Sequence, residues 1–161
     1  MKKLLSALLV LVMLLSLPGI GALAASDELT WSLDKKGTLT ISGKGEMPDY
    51  SGDTPPWVKY RDDIKAVVIE KGVTHIGAQC FQFCTKLKSV TIPSSVESIG
   101  AAAFYRCEKL SAVYYGGTAS DWNKIEIERY NKRLTSAELV IADTETSAPA
   151  PSGKPVGGKL K

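Results

Sequence analysis

Three cysteines and a single histidine are the side chains with which this chain could attack a substrate or bind a soft metal. Cys80 and Cys84 lie four residues apart and could form half of a zinc site, but one lone histidine does not complete it convincingly. Catalysis by a serine or cysteine would need His75 as its base, and no partner lies at a convincing spacing. His75 is therefore expected to be a solvated polar residue that faces outward.

Acidic and glycine-rich segments offer no stronger chemistry. The pairs Asp62-Asp63 and Glu126/Glu128 do not recur with any period and are read as surface charge. Gly116 to Thr118 lacks the lysine of a phosphate loop. Asp49 to Asp53 has oxygen ligands without the spacing of a calcium loop. We therefore predict that the protein is not an enzyme and has no catalytic residue, no cofactor and no metal.

A repeat of 23 residues organises the middle of the chain. The segment 64–69 returns at 87–92 and, weakened, at 110–115. The first two copies share ten identities over the 23 positions, mostly at apolar residues and glycine. A period of this length with a leucine-rich strand signature is typical of a leucine-rich-repeat solenoid. Each coil is expected to have one strand and one side of turns with a short helix, which carries Phe104 and Cys107.

The repeat carries a family resemblance. LKSVTIPSSVESIGAAAFYRCEKLSAV resembles the BspA-like leucine-rich repeats of bacterial secreted and cell-surface proteins, and the first copy departs from their pattern at Glu70 and Cys80. The flanking segments WSLDKKGTLTISGKGEMPDY and YYGGTASDWNKIEI resemble the pieces that border such arrays. The resemblance spans roughly residues 29 to 142. It implies extracellular interaction modules and carries over no catalytic residues.

The predicted fold class is α+β, a short leucine-rich-repeat solenoid of about two full 23-residue coils plus a weakened third. Residues 64–115 form the repeats, because the periodicity is confined to them. Residues 25–63 are read as an N-terminal cap that contains a β-hairpin, and residues 116–142 as a C-terminal cap with a short helix that begins at Thr118 and a final strand. Residues 143–161 are rich in Pro, Gly, Ser and Lys and are predicted to be a disordered, dispensable tail.

The N-terminus has the organisation of a secretory signal. Residues 1–24 combine two lysines, an apolar run and small residues before a cleavage site predicted to precede Ala25. The apolar run is shorter than the roughly 20 residues that a spanning helix needs, and a retained anchor is the alternative. We expect a secreted or cell-surface protein without stable membrane insertion after cleavage.

The charge of the remaining chain bears on its partners. Residues 25–142 carry 15 basic and 15 acidic groups. Because binding to phosphate chains needs a concentrated basic surface, this neutral charge argues against nucleic acid or acidic polymers as the main partner, and we predict no nucleic-acid partner. Secretion also permits disulfides, so Cys84 and Cys107, at the same position of successive repeats, are either a bridge or, as we favour, buried free thiols.

The candidate partner-binding surface is the outward side of the repeat strands. Its residues form columns at 23-residue offsets: Ala66, Val68, Glu70, Ser89, Thr91, Ala112 and Tyr114. Alternatively, these side chains only pack under the cap loops. The predicted function is a non-catalytic interaction module that binds an extracellular protein or glycan through this face. The alternative is an N-terminal recognition piece of a larger secreted enzyme or wall-attached protein. The ligand, the oligomeric state and any continuation past Lys161 are left open.

Overall fold

The structure is a computed structural model that describes residues 28–51, 54–141 and 156–160. The predicted signal segment 1–24, its cleavage site, and residues 143–155 and 161 of the predicted tail lie outside these ranges. The strands, the 3₁₀ helix and the α-helices are, in chain order, β1 (Thr30–Leu33), β2 (Thr38–Ser42), β3 (Gly45–Glu46), a 3₁₀ helix (Val58–Tyr60), β4 (Ala66–Ile69), β5 (Val73–Ile76), β6 (Ser89–Ile92), β7 (Ser98–Ile99), β8 (Ala112–Tyr115), α1 (Ala119–Trp122), β9 (Glu126–Ile127), α2 (Lys132–Thr135), β10 (Glu138–Ile141) and β11 (Val156–Lys159). The described chain is thus dominated by strands.

The strands form two sheets. The larger has seven strands in the order β10-β8-β6-β4-β2-β1-β11, and the smaller has four in the order β3-β5-β7-β9. Strands β2, β4, β6, β8 and β10 are parallel, and Val67 pairs with Val90, which in turn pairs with Val113. The 23-residue period of the sequence is therefore the offset between paired residues of β4, β6 and β8.

The core contains the inward residues of both sheets. Alternation along β4 and β6 buries every second side chain, and the turns contribute Phe81 and Phe104, which are fully buried and stack with 5.2 Å between ring centroids. Trp57, 1% exposed, stacks on Phe81 at 5.6 Å and donates its indole N–H to the Cys80 carbonyl. The segment before the first repeat is thereby packed onto it.

The short helix that was expected in each repeat is absent from the described residues 77–86 and 100–109, which form turns. Gln79, Phe83, Ala102 and Arg106 have φ between 56° and 61°, the left-handed region. An α-helix needs consecutive residues in the right-handed region, so these residues interrupt it. Each repeat instead adds a second short strand, β5 or β7, which the sequence reading did not include.

Three predictions for the segments around the repeats agree with the structure. Thr118 caps α1 through a reciprocal capping box with Asp121, at the predicted helix start. Strand β10, the predicted final strand, pairs in parallel with β8, and Leu139 lies opposite Val113 at an offset of 26 residues. The antiparallel pair β1 and β2 is the predicted hairpin.

The predicted disordered tail needs a correction at its end, because β11 pairs antiparallel with β1. The Leu160 N–H donates to the Leu29 carbonyl at 3.1 Å, and Leu160 packs against the core. Composition alone suggested disorder, but Gly157 and Gly158 allow β11 to approach the backbone and ring of Trp31 closely. The strand is thus held by its neighbour, which a composition argument does not consider.

Candidate functional site

The outward side of the seven-stranded sheet carries the residues that were predicted to bind a partner. Because side chains alternate along a strand, burial of Val67, Val90 and Val113 directs their neighbours away from the core. The structure leaves Glu70 and Tyr114 exposed and the others half-buried: Ala66, Val68, Ser89, Thr91 and Ala112. We call these seven residues the strand face.

The register of the parallel strands aligns the strand face into columns. Val68 lies opposite Thr91, and Thr91 lies opposite Tyr114. The column continues through Thr40 on β2 and Val140 on β10. Small side chains dominate it, and the 42% exposed ring of Tyr114 is its only exposed aromatic side chain in the described residues. The result is a flat, uncharged centre with one aromatic anchor.

His75 has two side-chain partners, which corrects the expectation of a solvated histidine without one. Its Nδ1 lies 2.7 Å from the hydroxyl of Ser98, on the neighbouring strand of the small sheet, and its Nε2 lies 3.5 Å from Asp49 Oδ1. The His75 side chain is 21% exposed, so it is half-buried. The partners were missed because Asp49 belongs to a loop outside the repeat.

The Asp49 carboxylate joins that loop to the repeats. It accepts a hydrogen bond from the Ala78 N–H at 2.5 Å, and this bond, followed by the contact with His75, holds the pKa of Asp49 below its usual value although burial opposes the shift. With its hydrogen on Nε2, His75 donates to Asp49 and accepts from Ser98. A cavity of about 340 Å³ beside the loop is lined by Glu46, Met47, Pro48, Asp49 and His75.

The Ser98, His75 and Asp49 side chains form a chain of contacts between the small sheet and the loop before the first repeat. Ser98 also pairs in register with Glu126 of β9, so the two side chains lie on the same face of the small sheet. Together with the bond from the Ala78 N–H to Asp49, these polar contacts join residues 47–51 to the repeats.

The three cysteines are free and buried. Burial raises the pKa of Cys84 to about 12, and it raises the pKa of Cys80 and Cys107 well above their usual values. The Cys107 thiol donates to the Phe81 carbonyl at 3.1 Å. Of the two alternatives for Cys84 and Cys107, a disulfide or buried free thiols, the structure contains the free thiols. Protonated, buried thiols are unreactive.

No group of three or more His, Cys, Asp or Glu side chains in residues 28–51, 54–141 and 156–160 could hold a metal ion. Across the same ranges, no helix has the length and apolar character that crossing a bilayer requires.

Three exposed aromatic residues lie in the turns and not on the strand face. Phe83, Tyr105 and Tyr130 are 40%, 38% and 63% exposed, and each ring contacts the next. Sequence reasoning missed them because Phe83 and Tyr105 are 22 residues apart, one less than the repeat. The signal available in the sequence was an aromatic residue at nearly the same position of two successive repeats, Phe83 in the first and Tyr105 in the second.

Comparison with known proteins agrees with this architecture. A family model described as a BspA type leucine rich repeat region in six copies matches residues 59–139. A leucine-rich repeat protein from Eubacterium ventriosum ATCC 27560, known from a crystal structure, is 40% identical with a TM-score of 0.53. The match covers 56% of this chain and 24% of that protein, so this chain spans about a quarter of its length.

No curated protein matches the sequence. The family match covers half of the chain and contains the three long strands β4, β6 and β8, whose in-register pairing follows the repeat. The resemblance seen in the sequence is therefore confirmed, and the chain belongs to the BspA-type leucine-rich repeat family.

Proposed function

We propose that this protein is a secreted or surface-displayed, non-catalytic interaction module. Leucine-rich repeats of this family indicate a protein-interaction module, and proteins with BspA-type repeats are typically secreted or displayed at the bacterial surface. The chain would fold as a short solenoid, in which residues 25–63 and 116–142 cover the ends of the repeats 64–115. Each long strand then presents the same outward positions to a partner.

The strand face is the proposed contact surface for an extracellular protein or glycan. One observation carries this proposal: the outward side chains of Val68, Thr91 and Tyr114 lie in register on three parallel strands, and the ring of Tyr114 is exposed. An uncharged centre lowers the cost of desolvation, while Lys65, Lys88 and Glu70 at the rims can orient the partner.

A binding assay with the chain that begins at Ala25 tests the proposal. It measures capture of bacterial and host surface proteins and binding to an array of glycans. We expect Tyr114→Ala and Thr91→Arg to weaken a captured interaction by tenfold or more, since an aromatic anchor and a flat contact are lost. Ser120→Arg adds the same charge at an exposed position of α1 and serves as the matched control. Equal binding by all variants would contradict the assignment of the surface.

The length of the Eubacterium ventriosum protein supports a second candidate function. That protein is about four times as long as its own segment that matches this chain. We infer that this chain could alternatively act as the recognition piece of a larger secreted enzyme or wall-attached protein. The gene sequence beyond the codon for Lys161 separates the two functions. A catalytic or wall-binding domain there would support the second.

A further inference from the structure

The turns of the repeats carry an exposed surface in which aromatic rings and arginines are adjacent. Of the four large hydrophobic side chains exposed in the described residues, three are Phe83, Tyr105 and Tyr130. Their ring centroids are 5.8 Å and 6.5 Å apart, both in edge-on contacts. We call these three residues the aromatic ladder. It runs across successive repeats, from one turn to the next.

Each ring of the aromatic ladder has a guanidinium group beside it. Arg61 lies 6.0 Å from the ring of Phe83, Arg106 5.6 Å from Tyr105, and Arg129 5.6 Å from Tyr130. Tyrosine and arginine are the residue types enriched at the centres of protein interfaces. Arginine also binds carboxylates through two parallel hydrogen bonds. Each ring can therefore provide apolar contact, and the arginine beside it can bind a carboxylate.

The backbone of the turns is left-handed at three of these residues. Phe83, Arg106 and Tyr130 have φ of 61°, 60° and 68°. Phe83 and Arg106 lie one repeat apart, as do Gln79 and Ala102 with the same conformation, so it is a feature of the repeat turn. Bulky side chains are disfavoured in this region, where glycine or asparagine would be more stable. The three side chains are exposed, so burial in the core does not compensate for the cost.

The spacing and charge of the surface point to one kind of occupant. Side chains on one face of an extended peptide recur about every 6.7 Å, close to the separations of the three rings. Because successive side chains of an extended peptide point to opposite faces, a peptide with glutamate at every second residue can direct all of its glutamates to this surface. Their methylene groups would contact the rings, and their carboxylates would lie near the arginines. Arg106 is already 3.4 Å from Glu108 in an exposed pair, which is weak and can exchange for a carboxylate of the partner.

We propose that the aromatic ladder, together with Arg61, Arg106 and Arg129, binds an extended acidic peptide segment of a partner protein. This second surface is independent of the strand face. A phosphate polymer is a poorer fit, because binding to a phosphate chain needs an extended basic surface and this one has three arginines.

Fluorescence anisotropy with a labelled eight-residue peptide of alternating glutamate and valine tests the proposal on the chain from Ala25 to Lys161. We expect saturable binding that weakens as salt increases, since the carboxylates contribute. The same peptide with lysine in place of glutamate should bind at least tenfold more weakly. Equal affinity for the two peptides, or no binding of the acidic peptide at millimolar concentration, would overturn the proposal.

Variants locate the site. Tyr105→Ala and Arg106→Gln should each weaken binding by about tenfold, as loss of an interface anchor does. Glu108→Gln should strengthen it a fewfold, because the competing carboxylate is removed. Tyr114→Ala, on the strand face, should leave it unchanged. If Tyr114→Ala abolishes peptide binding and Tyr105→Ala does not, the peptide binds the strand face and the proposal is wrong.

Tyr130→Asn separates binding from folding. Asparagine tolerates the left-handed conformation, so the thermal midpoint should not fall, yet the peptide should bind more weakly. A purely structural role predicts the reverse, a lower midpoint with unchanged binding. An anionic polysaccharide such as polygalacturonate is the remaining comparison. If it binds tighter than the peptide and responds to the same variants, the partner class is wrong.

Discussion

At the level of single residues, neighbouring positions of a repeat differ sharply in burial. Phe104 is fully buried against Phe81, whereas Tyr105 is 38% exposed. Removing a buried aromatic side chain loses its transfer free energy and leaves a cavity. Phe104→Ala should therefore lower the free energy of unfolding by about 3–5 kcal/mol.

Urea denaturation followed by tryptophan fluorescence measures this loss, because Trp57 stacks on Phe81, the ring that contacts Phe104. Tyr105→Ala is the matched control and should cost less than about 1 kcal/mol, as expected for an exposed side chain. Similar values for the two variants would mean that the 23-residue register of buried positions is wrong.

The repeat pattern predicts buried residues better than it predicts polar contacts. Phe81 recurs as Phe104 and Cys84 recurs as Cys107, each at an offset of 23 residues, and all four side chains are buried. The contact of Asp49 with His75 joins a loop to a repeat across 26 residues, and no periodicity indicates it. A repeat in the sequence indicates which side chains occupy equivalent positions and are buried alike. A contact between a repeat and a loop outside it depends on where the loop folds, which the repeat does not indicate.

At the level of elements, the strands with alternating burial were predictable and the strands of the small sheet were not. Strands β4, β6 and β8 have four residues with alternating burial, which is the signal that sequence analysis reads. Strands β7 and β9 have two residues each, too few to show a pattern. Strand β9 also lies 28 residues after β7 in register, because α1 is inserted between them.

Asn131 holds β9 and α2 against the second repeat. It is 3% exposed, donates to the carbonyls of Gly100 and Glu128 at 2.9 Å and 3.0 Å, and accepts from the Phe104 N–H at 3.0 Å. Asn131→Ala would leave three backbone groups without this partner. Because a buried unsatisfied group is costly, we expect a loss of about 2–3 kcal/mol in unfolding free energy.

Two further variants make the Asn131 measurement specific. Asn131→Asp keeps the acceptor but sets a negative charge against two carbonyl oxygens, so it should be at least as destabilising in urea denaturation. Asn123→Ala, at an exposed position after α1, should cost less than about 0.5 kcal/mol. A stable Asn131→Asp protein would show that the two donated hydrogen bonds contribute little.

At the level of the whole molecule, the two edges of the seven-stranded sheet are formed by different parts of the chain. Strand β10 is the last strand at one edge of the described sheet, whereas β11 covers β1 at the other. Lys159 Nζ lies 2.6 Å from Glu28 Oε2, next to the β1–β11 pair. An uncovered β1 would expose its backbone groups to other chains, which favours aggregation. Residues 156–160 therefore complete the fold instead of only extending from it.

A chain that ends at Pro155 should consequently unfold at a temperature several degrees lower, since about 1 kcal/mol shifts the midpoint of a domain of this size by roughly 4 °C. Gly157→Ala should have a similar effect, because its added Cβ would meet the Trp31 carbonyl oxygen. Gly158→Ala is the matched control, since its Cβ would lie in ordinary contact, 3.4 Å from the Trp31 indole nitrogen. Differential scanning calorimetry gives all three midpoints. A truncated chain within about 2 °C of the full chain would instead support the dispensable tail that composition suggests.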